Sequence, residues 1–412
     1  MTGAPPEIPG ETSEARAETK TPGEPPRWRM TLREVAAGDV MAGVLALVLA
    51  VIVGSLLIAV TDEEVREAAK YFFSRPGDTI EAAFDAIWGA YTALFQGSVY
   101  NNRVDDPATA IRPLTETLKF AAPLIMAGLG IGLAFRAGLF NIGGRGQMLL
   151  GGAAAGWIGV KADQLPAGLH LVAALLAAML FGGLWAAIAG FLKARTGAHE
   201  VIVTIMLNYV GFYLVFYALS QESILQAPNS ANPKSLPVED SAQLPSLLGE
   251  RFTLHLGFLL AMVAVAIIWW VLNRSAFGFR IRATGENPEA ARTAGIDVGR
   301  TYTLVMFVAG SLVGLAGANQ VLGTVTSGVT VDLDAGIGFD AITVALLGRS
   351  RPLGILAAGL LFGAFKAGGF AMQASQGIPI DLVLVVQSLI VLFIAAPPLV
   401  RAVFRLPAKE AK

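Results

Sequence analysis

Ten apolar stretches, nearly empty of charge and separated by polar segments, limit what this chain can fold into more than any other feature. They lie at about 41–60, 114–135, 146–160, 170–192, 201–219, 252–272, 301–322, 338–348, 353–371 and 380–397. In hydrocarbon no water is present to satisfy backbone N–H and C=O groups, so such runs fold as helices. At about 1.5 Å rise per residue, about 20 residues cross the apolar core of a bilayer. Composition agrees: 54% of residues are hydrophobic and 15% charged, with a mean hydropathy of +0.61, which is too apolar for a soluble domain. The expected fold is all-α, a polytopic membrane protein of about ten transmembrane helices.

The polar segments give the expected orientation. Arg27, Arg29 and Arg33 precede the first run, which places the N-terminus in the cytoplasm by the positive-inside rule. Ten crossings then bring Arg136, Lys193, Arg195, the segment 273–300, Arg349, Arg351, Arg401 and Arg405 to that same side. Segments 220–251 and 323–336 fall outside. Residues 79–95 carry Ile80, Phe84, Ile87, Trp88, Tyr91 and Phe95 at helical spacing, an amphipathic helix for the outer interface or for a docking partner. Residues 1–36 are rich in Pro, Glu, Thr and Ala and read as a disordered cytoplasmic tail. Residues 37–404 form the membrane domain, and 405–412 a cytoplasmic tail.

Chemistry is sparse. There is no cysteine, hence no disulfide or thiolate site, and His170, His199 and His255 lack ligand spacing. No Gly-Lys pair occurs, so a Walker A phosphate loop is absent. No paired carboxylates or nucleophile–base constellation suggest an enzyme. Glycines recur at four-residue steps inside the runs, as at Gly152 and Gly156, Gly310 and Gly314, and Gly359 and Gly363, a spacing that lets helix backbones approach closely in lipid.

Polar groups within the runs have two readings each. Asp340 and Lys366 form either an ion pair between packed helices or part of a solute path. Asn141, Gln147, Asn208, Asn319, Gln320 and Gln387 suit hydrogen bonding to a polar ligand or interhelical contact. The stretches 141–152 and 336–348 share an Ile-Gly start, a polar interruption and a Leu-Leu-Gly finish. They are either traces of duplicated halves, with interrupted helices near the path, or chance similarity in an Ala/Leu/Gly-rich chain.

The segment 273–300 carries five arginines and three acids between two apolar runs. Asn287 as cap, Pro288 in the first turn and Glu289 near the helix start predict a short helix over 288–294, and Gly295 predicts its stop. About two turns of helix are unstable alone and must lean on something. Glu289-Ala290-Ala291, three residues, then Gly295 resembles the E-A-A-x-x-x-G motif of ATP-binding cassette importer permeases. With RATGENPEAARTAGI, FNIGGRGQMLLGG and the ten-run topology, the resemblance extends over 41–400. The chain is similar to permeases of the branched-chain amino acid, ribose and nucleoside group, nearest the simple-sugar and nucleoside branch. One departure is Arg145, where nucleoside permeases of that branch often have an acid.

The resemblance implies two homologous permease chains around a central path in a bacterial-type inner membrane, with both termini cytoplasmic. It also implies two separate ATPase subunits that use ATP and Mg, an extracellular binding protein, a small-molecule solute and no nucleic acid. This chain would bind no cofactor. Asn287, Pro288, Glu289, Ala290, Ala291 and Gly295 would couple ATP hydrolysis to transport, Glu289 by polar contacts, the alanines by permitting close approach and Gly295 by turning the chain out. Asn141, Gln147, Asn208, Asn319, Gln320 and Asp340 are the candidates for the solute path. A secondary transporter driven by an ion gradient, and a permease for branched-chain amino acids, are the alternatives.

Overall fold

The computed structural model describes residues 39–404 apart from 163 and 250. The two tails expected at 1–36 and 405–412 lie outside the described residues. Each of the ten apolar runs is helical. In chain order the elements are α1 Asp39–Thr61, α2 Glu63–Ala69, α3 Pro76–Ser98, α4 Pro107–Arg136, α5 Gly144–Lys161, α6 Ala167–Thr196, α7 Glu200–Leu219 and α8 Gly257–Arg274. There follow α9 Ala276–Glu286, α10 Pro288–Thr293, α11 Val298–Asn319, α12 Ile337–Leu347, α13 Pro352–Gln376, α14 Ile380–Ala395 and α15 Pro397–Val403. Six helices are long and apolar enough to cross a bilayer, seven if α1 and the 71° bend into α2 are counted as one span. α5, α12 and α14 fall outside that set; α12 is only 11 residues long.

α4 and α11 form the centre. Between Ala121 and Ala134 α4 is buried on all sides, as is most of α11 from Val305 to Asn319. The glycine pairs explain how closely the neighbours pack. A Cβ on Gly314 would lie 2.2 Å from the Ala178 carbonyl oxygen of α6, and one on Gly310 would lie 2.3 Å from that of Gly182. These backbones are in van der Waals contact, which is where helix association in lipid draws its energy. α3 is not an isolated surface helix. Its small residues pack along α13 near Gly368 and Ala371, while Ile80, Phe84, Trp88 and Phe95 stay exposed.

One expectation is overturned: 323–336 is not an external loop. Val329 and Leu333 are buried, Val329 in the space above Gly156 and Leu333 above Gly152, and Gly338 meets Gly144. Numbers rise along this strap as they fall along α5, so the strap descends antiparallel to α5, by about 18 Å for the twelve residues between Gly144 and Gly156. The strap carries two acids, Asp332 and Asp334, and no helical periodicity. α5 supplies both the groove and a countercharge.

At the end of the bundle opposite α10, the segment 220–256 lies over the strap. Ser235 N donates to the Val329 carbonyl at 3.1 Å, Val238 N to Thr326 at 2.9 Å and Leu244 N to Leu322 at 2.7 Å. His170 is fully buried between Ser241 Oγ at 2.8 Å and the Ile158 carbonyl at 2.9 Å. His255 Nδ1 accepts from Gly257 N at 3.2 Å, which needs an unprotonated Nδ1. Burial, with Lys119 nearby, pushes its pKa down to about 4.

This makes acid stability a prediction. An unfolded histidine takes up its proton near pH 6.5. His255 therefore contributes fully above that value, and its contribution is lost as pH falls from about 6.5 through 4. The loss amounts to about 3 kcal/mol. Unfolding midpoints of wild type and His255→Gln, measured from pH 7.5 to 4, should converge as the pH drops; parallel curves would contradict the assignment.

Candidate functional site

The segment after α8 folds as two short capped helices. Ser275 Oγ accepts from Gly278 N at 2.9 Å and starts α9, a helix not anticipated from the sequence. Gly285 then presses against the end of α4: a Cβ there would lie 2.1 Å from the Arg136 carbonyl oxygen. Asn287, in extended conformation, receives the N–H groups of Glu289 and Ala290 on its side-chain oxygen, both at 3.0 Å. Pro288 occupies the first turn, where its missing N–H is not needed.

The stop is equally defined. Gly295 has φ +83°, its N–H donates to the Arg292 carbonyl and that of Ile296 to the Ala291 carbonyl, each at 3.0 Å. This paired closure is the Schellman arrangement, which needs a left-handed residue. Asp297 then caps α11 by accepting from Arg300 N at 2.9 Å. The hairpin α9–α10–α11 is thereby pinned at every joint.

Burial divides the two alanines. Ala291 is 4% exposed and faces the permease body, whereas Ala290 faces outward with Asn287, Glu289, Arg292, Thr293 and Gly295. Glu289 and Arg292 pair at 2.7 Å on this surface. The outward face of α10 thus sets the small Ala290 beside the exposed Glu289–Arg292 pair.

The second locus is where α5 and α12 begin. Their first turns touch, Gly144 against the Gly338 carbonyl and Gly338 against the backbone of Arg145. The two similar stretches, 141–152 and 336–348, therefore meet as the starts of two helices inside the bundle. Asn141 and Gln147 hold each other by bonds of 2.9 and 3.2 Å and are buried. Asn208 of α7 accepts from Gly146 N at 2.8 Å and donates to the Ile142 carbonyl at 2.9 Å. These three amides come together, and their principal bonds fix the start of α5.

The other candidates lie elsewhere. Asn319 and Gln320 sit where α11 passes into a single π-helical turn, Gln320–Thr324. Asn319 is 1% exposed, and neither side-chain polar atom has a hydrogen-bond partner among the described residues. Asp340 faces away from α5, 3.6 Å from Lys366, whose Nζ also donates to the Ala335 carbonyl at 3.1 Å.

The ion pair between packed helices is therefore present. Its side chains are 27% and 19% exposed, so removing Lys366 alone, as Lys366→Met, is expected to destabilise by about 2 kcal/mol, less than the about 3–5 kcal/mol of a fully buried pair. Asp340→Leu with Lys366→Met should recover most of that loss. Melting temperatures of the single and double variants decide it, and a double variant as unstable as the single one would count against a pairing role.

Between α5, α7 and the start of α12 lies a cleft of about 400 Å³. It is lined by Arg145, Asn208, Tyr209, Phe212, Tyr213 and Phe339, among others. Arg145 Nε is 3.3 Å from Asp334 Oδ1 of the strap, an ion-pair contact without hydrogen-bond geometry, and its guanidinium lies 5.2 Å from the Phe212 ring centre. Asp334 is 4% exposed. Sequence reading picked out Asn208 as a solute-path candidate and Arg145 only as a departure, and missed Asp334 and the aromatic residues. The signal available was Tyr209, Phe212, Tyr213 and Phe216 at three- and four-residue steps, one aromatic edge along α7.

Comparison with known proteins bears on both loci. The family described as "Branched-chain amino acid transport system / permease component" matches residues 114–395. The guanosine ABC transporter permease protein NupP of Bacillus subtilis is 38% identical over 331 residues, covering 79% of this chain and 89% of that protein. The nucleoside ABC transporter permease protein NupB of Lactococcus lactis is 35% identical over 317 residues, 76% of this chain and 84% of that one. The glucose ABC transporter permease protein TsgB13 of Haloferax volcanii is 36% identical over 290 residues, 68% and 75% respectively. With ten helical apolar runs, a capped E-A-A-x-x-x-G helix and this similarity along most of its length, the chain belongs to the branched-chain amino acid transport system permease family.

Proposed function

We propose that this chain is the membrane-spanning permease subunit of an ATP-binding cassette importer that carries a nucleoside or simple sugar into the cytoplasm. The observation that carries the reading is α10, a six-residue helix pinned at both ends and presenting Glu289, Ala290 and Arg292 outward. A chain with no Walker A sequence needs an external source of work, and a stub joined to α11 and, through α9, to the ends of α4 and α8 can pass a push from a docked ATPase to the bundle. ATP and Mg would be used by that partner, and this chain would hold neither. Asn287, Pro288 and Gly295 shape the helix, Glu289 and Ala290 meet the ATPase, and Ala291 seats the helix on the permease.

In this reading the α10 end is cytoplasmic, as are both termini, and a binding protein delivers solute to the opposite end, where 220–256 lies. A second homologous permease completes the path in a bacterial-type inner membrane. The names of the relatives, two for nucleosides and one for glucose, support the solute class. The test is uptake into proteoliposomes holding the permease pair, the ATPase subunits and the binding protein. Uptake should require ATP on the α10 side and ignore ionophores. Uptake driven by an ion gradient without the ATPase would instead favour a secondary transporter.

A further inference from the structure

The cleft between α5, α7 and α12 has a chemistry that separates the two solute classes. Its walls are aromatic: Tyr209, Phe212 and Tyr213 come from α7 and Phe339 from the start of α12. Its charged group is Arg145, with a side chain 33% exposed and the guanidinium fixed between Asp334 and the Phe212 ring. A guanidinium only donates hydrogen bonds. Two of the acceptors nearby are already engaged, since Asn208 Oδ1 receives Gly146 N and Asp334 is buried against Arg145. The site therefore offers broad ring faces and a donor fork, with the Tyr209 and Tyr213 hydroxyls able to donate or accept.

A simple sugar presents hydroxyls around a ring without a π face, so it would use the hydrogen-bonding groups here and leave the ring faces without a matching plane. A nucleobase has two broad π faces for the rings and an edge of acceptor atoms that a guanidinium fork can meet. Pairing with Asp334 also leaves the site near neutral, which suits an uncharged nucleoside better than a phosphorylated one. The location is apt. The cleft opens where two helices begin inside the bundle, about 12 Å up α7 from Glu200 to Asn208 by helix rise, so a solute held here is partway across.

We propose that this cleft binds the base of a nucleoside in transit, with Arg145 donating to the acceptor edge and the aromatic side chains against the ring faces. The proposal rests on the importer reading and narrows its solute to nucleosides. It assigns Arg145 and Tyr209 to binding and Asp334 to positioning Arg145.

The test uses the full permease complex in membranes, with 8-azidoadenosine as photoprobe. Label is expected on α7 within 205–213, displaced by excess guanosine or uridine and not by ribose or glucose. Arg145→Gln with Asp334→Asn, a pair that strands no charge, and Tyr209→Leu should each reduce labelling and ATP-driven nucleoside uptake at least about tenfold with melting temperature preserved. If those variants lower the melting temperature, the photolabelling of wild type still decides. Label elsewhere, displacement by glucose as effective as by nucleoside, or wild-type uptake in folded variants would overturn the cleft assignment. Failure of wild type to take up any solute with ATP would instead overturn the importer reading, and the labelling pattern would still judge the cleft.

Discussion

Ala290→Trp is expected to cut ATP-driven uptake at least about a hundredfold, equivalent to about 3 kcal/mol of lost docking, while the permease keeps its melting temperature. Ala290 is exposed, so an indole there adds its bulk on the outward face of α10. Two surfaces that must close to contact distance would be held apart by the width of a ring. The neighbouring change, Ala291→Trp, is a poorer probe. Ala291 is 4% exposed, and an overpacked core would lower stability as well as coupling. Uptake and melting temperature measured together separate the two. Normal uptake by Ala290→Trp would remove α10 from the coupling path.

The largest effect on folding is expected at the α6–α11 crossing. Gly314→Val places a Cβ 2.2 Å from the Ala178 carbonyl oxygen and near Gly182, both backbone. Neither helix can give way alone, because α11 is also held against α5, where a Cβ on Gly317 would lie 2.3 Å from the Met148 carbonyl oxygen. We expect a loss of about 4 kcal/mol or more, beyond ordinary overpacking, seen as disappearance of the monodisperse peak on size-exclusion chromatography of the solubilised protein. Gly77→Ala, with nothing within 4 Å of the added Cβ, is the matched control and should elute as wild type.

Much of this architecture was legible in the residues because the bilayer leaves few choices. An apolar run without charge has to be a helix, and all ten are. The caps of α10 were equally readable: Asn287, Pro288 and Gly295 each solve a local backbone problem that does not depend on the rest of the chain. Asp340 and Lys366 could be paired in advance because each is a costly charge within an apolar run, and the structure brings them to 3.6 Å.

What could not be read was long-range. Segment 325–336 has neither helical nor strand period, and its burial depends on the groove over Gly152 and Gly156, some 180 residues earlier. Asp334 in this segment is buried because Arg145, far away in sequence, supplies its countercharge. α9 was missed because its sequence, AFGFRIRATGE, has two glycines and little amphipathic pattern, and its place is set by the close fit of Gly285 on the end of α4. The aromatic cleft was missed for a related reason. Tyr209, Phe212 and Tyr213 look like any lipid-facing residues of a span, and only the position of α12 makes them one wall of a site. For the amides the residues allow two readings, solute path or interhelical contact, and the bonds of Asn141, Gln147 and Asn208 tie down the start of α5.

The absence of cysteine from the chain allows a direct test of the central claim, that the exposed face of α10 is the ATPase docking surface. A single Thr293→Cys variant places a thiol on that face beside Glu289 without touching the caps. Its rate of maleimide labelling should fall sharply when the ATPase subunits are bound, and oxidation with a cysteine in the ATPase groove should yield a cross-linked permease–ATPase band. Equal labelling rates with and without the bound ATPase, and no such band, would contradict the account.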